Sequence, residues 1–177
     1  MTARVRTVGV FGSAVSREGT EEYEEAVRAG AAVARAGFDL VCGGYGGSME
    51  AVSRGCAEAG GSARGIGLDY FSSPPNRFLG RFEHASTLGR RLDRFVEDAD
   101  LFLALPGGIG TVAEVMFVWD LVKSGRISGK PVILYGRSWE RLLAVLEESF
   151  VIPSGAFAAM LRAPDLAALE EILRKIG

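Results

Sequence analysis

Residues 106–114, with the sequence PGGIGTVAE, combine a glycine-rich turn, a hydroxyl group and a carboxylate in one short segment. The apolar run Leu101–Leu105 before them predicts a buried strand, and a helix is predicted over Val112–Ser124. A glycine turn between a strand and a helix presents bare backbone N–H groups and the positive end of the helix dipole, which favour a phosphate. The residues predicted to bind that phosphate are Gly107, Gly108, Gly110 and Thr111.

The carboxylate of this segment, Glu114, lies about one turn into the predicted helix. A carboxylate near a bound anion lowers affinity, because the two negative charges repel each other. Its presence therefore indicates chemistry on a part of the ligand beyond the phosphate. The alternative is a plain turn without a ligand, in which an acidic residue near a helix start only favours the helix dipole.

Two further predicted strands end in turns of the same kind. The strand Phe38–Cys42 runs into the glycine cluster of residues 43–47, and the first strand ends at Phe11, just before Gly12 and Ser13. The carboxyl ends of parallel strands lie on one edge of an open sheet, which is where ligands bind. From these two turns, Gly12, Ser13, Gly44, Gly46 and Gly47 are predicted to bind a nucleotide or a phosphorylated sugar.

An arginine on another predicted helix, Leu88–Glu97, is a further candidate. Leu88, Leu92 and Phe95 share one face of that helix, and Arg91 lies beside this face. A guanidinium at the edge of a buried face can reach a phosphate with a planar fork of donors. The alternative is a solvated basic face whose arginine stems cover apolar surface.

The chain alternates between strand and helix patterns, which predicts an α/β fold: a single Rossmann-like domain with a mostly parallel, doubly wound sheet flanked by helices. The predicted strands are Arg4–Phe11, Phe38–Cys42, Ala63–Leu68, Leu101–Leu105 and Pro131–Tyr135. The predicted helices are Thr20–Ala36, Gly47–Ala59, Leu88–Glu97, Val112–Ser124, Trp139–Glu148 and Asp165–Ile176. The longest irregular stretch, residues 69–87, is either a lid over the glycine edge or an uninvolved surface excursion.

The composition limits the partners. A chain of 177 residues with 48% apolar and 24% charged residues is an ordinary single domain, expected over residues 1–177. The net charge of −2 lacks the basic footprint of nucleic-acid binders, so no nucleic-acid partner is expected. No apolar segment approaches the ~20 residues that span a bilayer, and no apolar signal region follows Met1. We therefore expect a cytoplasmic protein without a membrane partner.

The residues that bind metals are sparse in the sequence. Cys42 and Cys56 form no C-x-x-C unit, and His84 is the only histidine. This set does not make a convincing zinc site, so no metal is expected. Both cysteines stand in apolar surroundings, and buried free thiols are the expected state.

Three motifs together resemble the LONELY GUY (LOG) family, whose members were long labelled "possible lysine decarboxylases". They are GGYGGSMEA at residues 43–51, the helix that carries Arg91, and PGGIGTVAE at residues 106–114. The resemblance runs from Val8 to about Ile133, and the last motif is specific for the superfamily more than for one activity. Met49 of the first motif joins the predicted binding residues.

The resemblance implies an activity. Known members are phosphoribohydrolases, which cleave the N-glycosidic bond of a nucleoside 5′-monophosphate such as AMP or a cytokinin riboside monophosphate. The products are the free base and ribose 5-phosphate, and no cofactor is needed. The family's catalytic Arg and Glu fall on Arg91 and Glu114, whereas Leu92 and Ala113 stand where the family commonly has a Lys and a second Glu.

A non-catalytic alternative comes from the same resemblance. The spelling of the first motif, with Glu50 after Met49, also resembles a branch related to a molybdenum-cofactor carrier protein, which binds its ligand and is not an established nucleosidase. A carrier and an enzyme need the same phosphate-binding site, so the sequence leaves both functions open. In either case the expected partner is a small phosphorylated molecule.

A homodimer is expected as well. The predicted helix at residues 112–122 carries apolar residues on more than one face, which are Val115, Met116, Val118, Trp119 and Val122. A helix that is apolar on several faces must be covered on each of them. The resemblance to the LOG family implies the same assembly.

Overall fold

The fold is built on one seven-stranded sheet whose paired strands are all parallel, in a computed structural model that describes residues 6–177. The order across the sheet is β4-β3-β2-β1-β5-β6-β7. The strands are β1 Thr7–Phe11, β2 Asp39–Cys42, β3 Ala63–Leu68, β4 Arg81–Ala85, β5 Leu101–Ala104, β6 Val132–Tyr135 and β7 Met160–Ala163. In four of them, β1, β2, β5 and β6, every residue is buried except Asp39 at the start of β2, as expected for a sheet covered on both faces.

Within residues 6–177, six α-helices cover the two faces of the sheet. They are α1 Glu21–Arg35, α2 Ser48–Glu58, α3 Leu88–Asp98, α4 Ile109–Lys123, α5 Arg137–Ser149 and α6 Leu166–Ile176, and a short 3₁₀ helix spans Ser154–Ala159. Buried residues of α1, α2 and α6 form one core cluster with the sheet, and those of α3, α4 and α5 form a second. The predicted single α/β domain with a doubly wound parallel sheet is therefore confirmed.

Two strands lie where none was predicted. The segment predicted to be irregular, residues 69–87, contains β4, and β7 follows the 3₁₀ helix. The sequence of β4 is RFEHA, which is mostly polar because this strand forms an exposed edge of the sheet. The irregular part is therefore the β3–β4 connection, residues 69–80. Residues 4 and 5 of the first predicted strand lie outside the described residues.

The three glycine-rich turns meet at the centre of one sheet edge. β2, β1 and β5 are neighbours, and their registers pair Val10 with Cys42 and Phe11 with Ala104. The three strands therefore end within one residue of each other, and the turns that follow them are adjacent. The chain after β1 leads to β2 on one side, whereas the chain after β5 leads to β6 on the other side. The two connections therefore diverge between β1 and β5, and a crevice opens at this point of a doubly wound sheet.

Candidate functional site

A cavity of about 360 Å³ occupies the crevice at the carboxyl ends of β1, β2 and β5. Eight of the residues predicted from the sequence line it, namely Gly12, Ser13, Met49, Arg91, Gly108, Gly110, Thr111 and Glu114. They come from the turns after β1 and β5 and from α2, α3 and α4. The structure thus brings the predicted phosphate-binding and catalytic residues to one place.

The other four predicted glycines do not line the cavity but shape its turns. Gly44 and Gly47 have φ angles of +78° and +71°, which L side chains rarely adopt. A Cβ atom on Gly47 would lie 2.3 Å from the Ser13 carbonyl oxygen, and one on Gly107 would lie 2.2 Å from Thr111 Oγ1. These positions need glycine so that neighbouring turns can approach each other. At Gly46, in contrast, the nearest atom is Glu50 Oε2 at 3.9 Å.

The start of α4 is open toward the cavity. This helix begins at Ile109, so Gly110 and Thr111 belong to its first turn, earlier than the sequence predicted. Its N-cap residue is Gly108, which offers no side-chain hydrogen bond. The N-termini of α1, α3 and α6 are instead capped by side chains, those of Thr20, Thr87 and Asp165. An uncapped helix start that lines a cavity is suited to an anion, because its first N–H groups need an acceptor.

The two predicted catalytic residues form a buried ion pair. Arg91 Nη1 donates to Glu114 Oε1 over 2.8 Å, and the side chains are only 9% and 12% exposed. Arg91 Nε also donates to the Ile66 carbonyl oxygen at 2.7 Å, and the guanidinium stands 5.2 Å from the centre of the Phe95 ring. Arg91 is thus held from three sides, and it points away from the solvated basic face that was its alternative.

Burial raises the pKa of Glu114 above its ordinary value, while the charge of Arg91 and its hydrogen bond act in the opposite direction. Desolvation disfavours a carboxylate, whereas an adjacent guanidinium favours it. The proton affinity of this carboxyl group therefore depends on two opposing effects, its burial and the charge of Arg91. A perturbed acid that lines a cavity is typical of functional sites.

Gly43 is a residue of this site that sequence reasoning did not select. It lines the cavity, and a Cβ atom there would lie 2.4 Å from both Arg91 Nη2 and Met49 Sδ. The absence of a side chain lets the guanidinium lie against the turn after β2. The signal was present, because Gly43 opens the same glycine cluster as Gly44.

Two aromatic cavity residues were missed as well, Tyr45 and Phe71. Tyr45 stands inside the glycine cluster, and Phe71 belongs to the β3–β4 connection, whose path the sequence does not indicate. The connection is attached to the cluster through Asn76, which donates its backbone N–H to the Gly44 carbonyl oxygen at 2.8 Å and its side-chain amide to the Tyr45 carbonyl oxygen at 3.1 Å.

The motifs that converge on this cavity belong to a known family. Residues 5–151 match the profile of the SLOG cluster4 family, which is most of the chain. The chain belongs to the SLOG cluster4 family. The LOG-type membership predicted from the glycine motifs is therefore confirmed, and the matched region of this SLOG protein includes every residue that lines the cavity.

Curated relatives of this SLOG chain carry the name of one activity. It is 29% identical over 159 residues to the cytokinin riboside 5′-monophosphate phosphoribohydrolase of Rhodococcoides fascians, covering 84% of this chain and 80% of that protein. It is 33% identical over 168 residues to the probable cytokinin riboside 5′-monophosphate phosphoribohydrolase LOGL5 of Oryza sativa subsp. japonica. That match covers 85% of this chain but only 65% of the rice protein.

Solved structures share the fold over nearly the whole chain. The molybdenum cofactor binding protein from the phototrophic bacterium Rippkaea orientalis superimposes with a TM-score of 0.75. The match covers 98% of both chains at 23% sequence identity. An identity this low establishes a common fold for this SLOG chain and that protein, and nothing about a common ligand.

Metal-ligating clusters and membrane-spanning helices are absent from residues 6–177. No group of three or more His, Cys, Asp or Glu side chains there is arranged to hold a metal ion. Within the same residues, no helix has the length and apolar character needed to cross a membrane. Cys42 and Cys56 are free and buried, as predicted, and burial raises the pKa of both thiols.

Proposed function

We propose that this protein is a phosphoribohydrolase that cleaves the N-glycosidic bond of a nucleoside 5′-monophosphate of the AMP or cytokinin riboside type. The observation that carries the proposal is the buried Arg91–Glu114 pair, which lines the same cavity as the uncapped start of α4. The cavity combines an anion-binding helix start with a carboxyl group whose pKa is raised. This combination suits a substrate that carries a phosphate and has its reacting centre beyond that phosphate. The names of the two curated relatives support this choice.

The phosphate is proposed to bind at the first turn of α4. Gly108 and Gly110 have no heavy atom within 4 Å of the place where a Cβ would stand, so a ligand can approach their backbone closely. Thr111 is in the same turn and adds a hydroxyl donor. Fixing the phosphate here restrains the ribose in the cavity, and such positioning lowers the barrier by reducing the entropy lost in the reaction.

Glu114 is proposed to act on the ribose. Cleavage of an N-glycosidic bond passes through an oxocarbenium-like ribose, whose positive charge a carboxylate stabilises. The same carboxylate can take a proton from the attacking water, whose oxygen forms the new bond to the anomeric carbon. The electron pair of the broken bond leaves with the base nitrogen, which then acquires a proton.

Arg91 is proposed to act on two groups, the carboxylate of Glu114 and the departing base. Its Nη1 hydrogen bond opposes the rise in the pKa of Glu114 that burial causes, and the Nη2 donors beside Gly43 can stabilise negative charge on the departing base. The planar guanidinium suits this double role, since Nε is already fixed on the Ile66 carbonyl oxygen. A lysine offers no such rigid arrangement of donors.

Base release from a panel of nucleoside monophosphates, followed by chromatography, tests the proposal. Glu114→Gln keeps the shape of the side chain and removes its charge, so turnover is expected to fall by about 10²–10⁴-fold while binding is retained. Glu147→Gln, an exposed change on α5, is the control that keeps wild-type activity. Undiminished release by Glu114→Gln, or release from no member of the panel, contradicts the mechanism.

A carrier for a phosphorylated cofactor such as the molybdenum cofactor is the second candidate. One observation favours it: Arg91 and Glu114 already satisfy each other at 2.8 Å, as two groups without a catalytic task would. A carrier binds its ligand tightly and releases no product. The same chromatographic panel separates the two, because only the enzyme liberates a free base.

We also propose that this cytoplasmic protein works as a homodimer of single nucleotide-binding domains, without a cofactor. The support is a second cavity of about 220 Å³ between α4 and the segment 151–156, lined by Met116, Trp119 and Val151 among others. Beside it, Phe150 and Val151 are exposed by 60% and 105%. Such an apolar surface is typical of an interface.

A further inference from the structure

The exposed edge of the active-site cavity carries apolar side chains that the proposed reaction does not use. Val15 from the turn after β1, Phe71 from the β3–β4 connection and Ile109 from the start of α4 all line it. They are 82%, 50% and 86% exposed. Apolar side chains that three separate segments bring to one cavity form a patch rather than scattered surface residues, and such a patch indicates a ligand contact.

The ring of Phe71 contacts two tyrosine rings, those of Tyr45 and Tyr70, and remains 50% exposed. It meets the Tyr45 ring edge-on, with 5.7 Å between the centroids and 83° between the planes. Tyr45 is itself fixed, since its hydroxyl oxygen accepts from the Leu68 backbone N–H at 2.8 Å. The connection is further tied to the glycine cluster by Asn76. An aromatic ring that is fixed by its neighbours yet half exposed is ready to stack against a flat group.

The polar side chains of the cavity are engaged away from that edge. Arg91 and Glu114 bind each other, and the Tyr45 hydroxyl binds the main chain of Leu68. Among the described residues that line the cavity, this leaves Ser13 and Thr111 as polar side chains, and both belong to the turns assigned to the phosphate. Apart from Nη2 of Arg91, which the proposed reaction places at the departing nitrogen of the base, no side chain of this set remains to read the hydrogen-bonding edge of a base at the apolar rim.

We propose that Phe71 is the residue that selects the base, by stacking on its face and without reading its edge. This rests on the proposed function, because it takes the ligand to be a nucleoside monophosphate. Stacking acts on every base, since each has a π face, and it grows with the area of the ring. The substrate class is therefore purine nucleoside monophosphates, with 6-amino and 6-oxo purines accepted alike and pyrimidines bound more weakly.

Calorimetric titration of AMP and of ribose 5-phosphate tests the stacking. Phe71→Ala is expected to weaken AMP binding about tenfold and to leave ribose 5-phosphate binding unchanged, because only AMP carries a base. Phe71→Tyr keeps the ring and is expected to bind AMP as the wild type does. The matched control is Ser72→Ala, which removes an exposed side chain of the same connection that does not line the cavity.

Two outcomes overturn the role of Phe71. One is unchanged AMP binding by Phe71→Ala, and the other is an equal loss for AMP and ribose 5-phosphate, which indicates a general disturbance of the connection. For the selection, GMP is expected to bind within about threefold of AMP, and UMP more weakly than both. A preference of more than about tenfold for AMP over GMP overturns selection without edge reading.

Failure of this inference differs from failure of the proposed function. If the wild-type protein binds AMP through Phe71 but releases no adenine, the proposed hydrolase activity is wrong and the stacking role of Phe71 stands. If the wild-type protein releases adenine and Phe71→Ala leaves AMP binding unchanged, the proposed hydrolase activity stands and the stacking role of Phe71 is wrong. Absence of AMP binding by the wild type overturns both.

Discussion

Glu114 is a carboxylate whose charge depends on one neighbour. Burial raises its pKa, and Arg91 is the group that opposes this effect. The pair is 9% and 12% exposed, so water screens the interaction little. A reaction that needs ionised Glu114 therefore loses rate as the pH falls through the raised pKa of this carboxyl group, because protonation then removes the negative charge.

Replacement of Arg91 by methionine is expected to move that acid limb to higher pH. Methionine keeps much of the volume and removes the charge, so burial acts on Glu114 unopposed and its pKa rises further. The measurements are the pH profile of the residual kcat/KM and the carboxyl carbon resonance that is missing from the spectrum of Glu114→Gln. Arg91→Lys, which retains the charge, is the control and is expected to shift the limb less.

A lower rate with an unmoved acid limb in Arg91→Met contradicts this role of Arg91. The rate alone does not distinguish a residue that tunes a carboxylate from one that only supports the fold. The position of the limb does, because it reports the proton affinity of Glu114 directly.

At the scale of elements, the strands that could be predicted from the sequence are the buried ones. Five of the seven strands in the described residues were predicted, and in each of them at most one residue is not buried. The strand β4 was missed because RFEHA lies at a sheet edge, where only Ala85 is buried. The strand β7, MLRA, is the opposite edge and is only four residues long. Edge strands are half solvated, so hydrophobic runs do not reveal them.

Packing between helices was not predictable from the helix patterns. Gly30 of α1 and Gly55 of α2 read as weak points of two helices, yet they let the helix backbones touch. A Cβ on Gly30 would lie 2.0 Å from the Val52 carbonyl oxygen, and one on Gly55 would lie 1.9 Å from the Val27 carbonyl oxygen. Contacts of this kind arise only when the two helices are in place, so sequence periodicity does not encode them.

Gly55→Ala is expected to destabilise the fold by about 2–3 kcal/mol, because the methyl group forces the two helices apart. For a domain of this size the loss corresponds to a fall in Tm of about 5–10 °C. Alanine has the higher helix propensity, so a stabilised variant would contradict the close packing. The control is Gly89→Ala in the first turn of α3, where the nearest atom is Thr87 Oγ1 at 4.0 Å, and thermal unfolding should show no loss.

At the scale of the whole molecule, the parallel sheet explains why the site was largely predictable. Turns after β1, β2 and β5 must share an edge if the strands are parallel neighbours, so three glycine clusters sufficed to locate the cavity. Phe71 was not predictable in the same way. The β3–β4 connection joins two parallel strands without a helix, and no sequence pattern indicates on which side of the edge such a segment lies.

The remaining apolar surface leads to an expectation about assembly. The cavity between α4 and segment 151–156 is on a different part of the chain from the glycine turns, and none of its lining residues belongs to the cavity at the carboxyl ends of β1, β2 and β5. If a second copy covers this surface, the protein should scatter light in solution with twice the 18.8 kDa mass of the chain. Dimers place the same patch of both copies in contact, so one substitution acts twice.

Val151→Glu is therefore expected to convert the dimer to a monomer at micromolar concentration. The side chain of Val151 is fully exposed in the single chain, so the change does not affect folding of the monomer and brings two carboxylates into an apolar interface. The control is Val145→Glu, another exposed valine that lies on α5 and does not line this cavity. A monomeric wild type, or a Val151→Glu variant that stays dimeric as the Val145→Glu control does, shows that this surface does not hold the dimer.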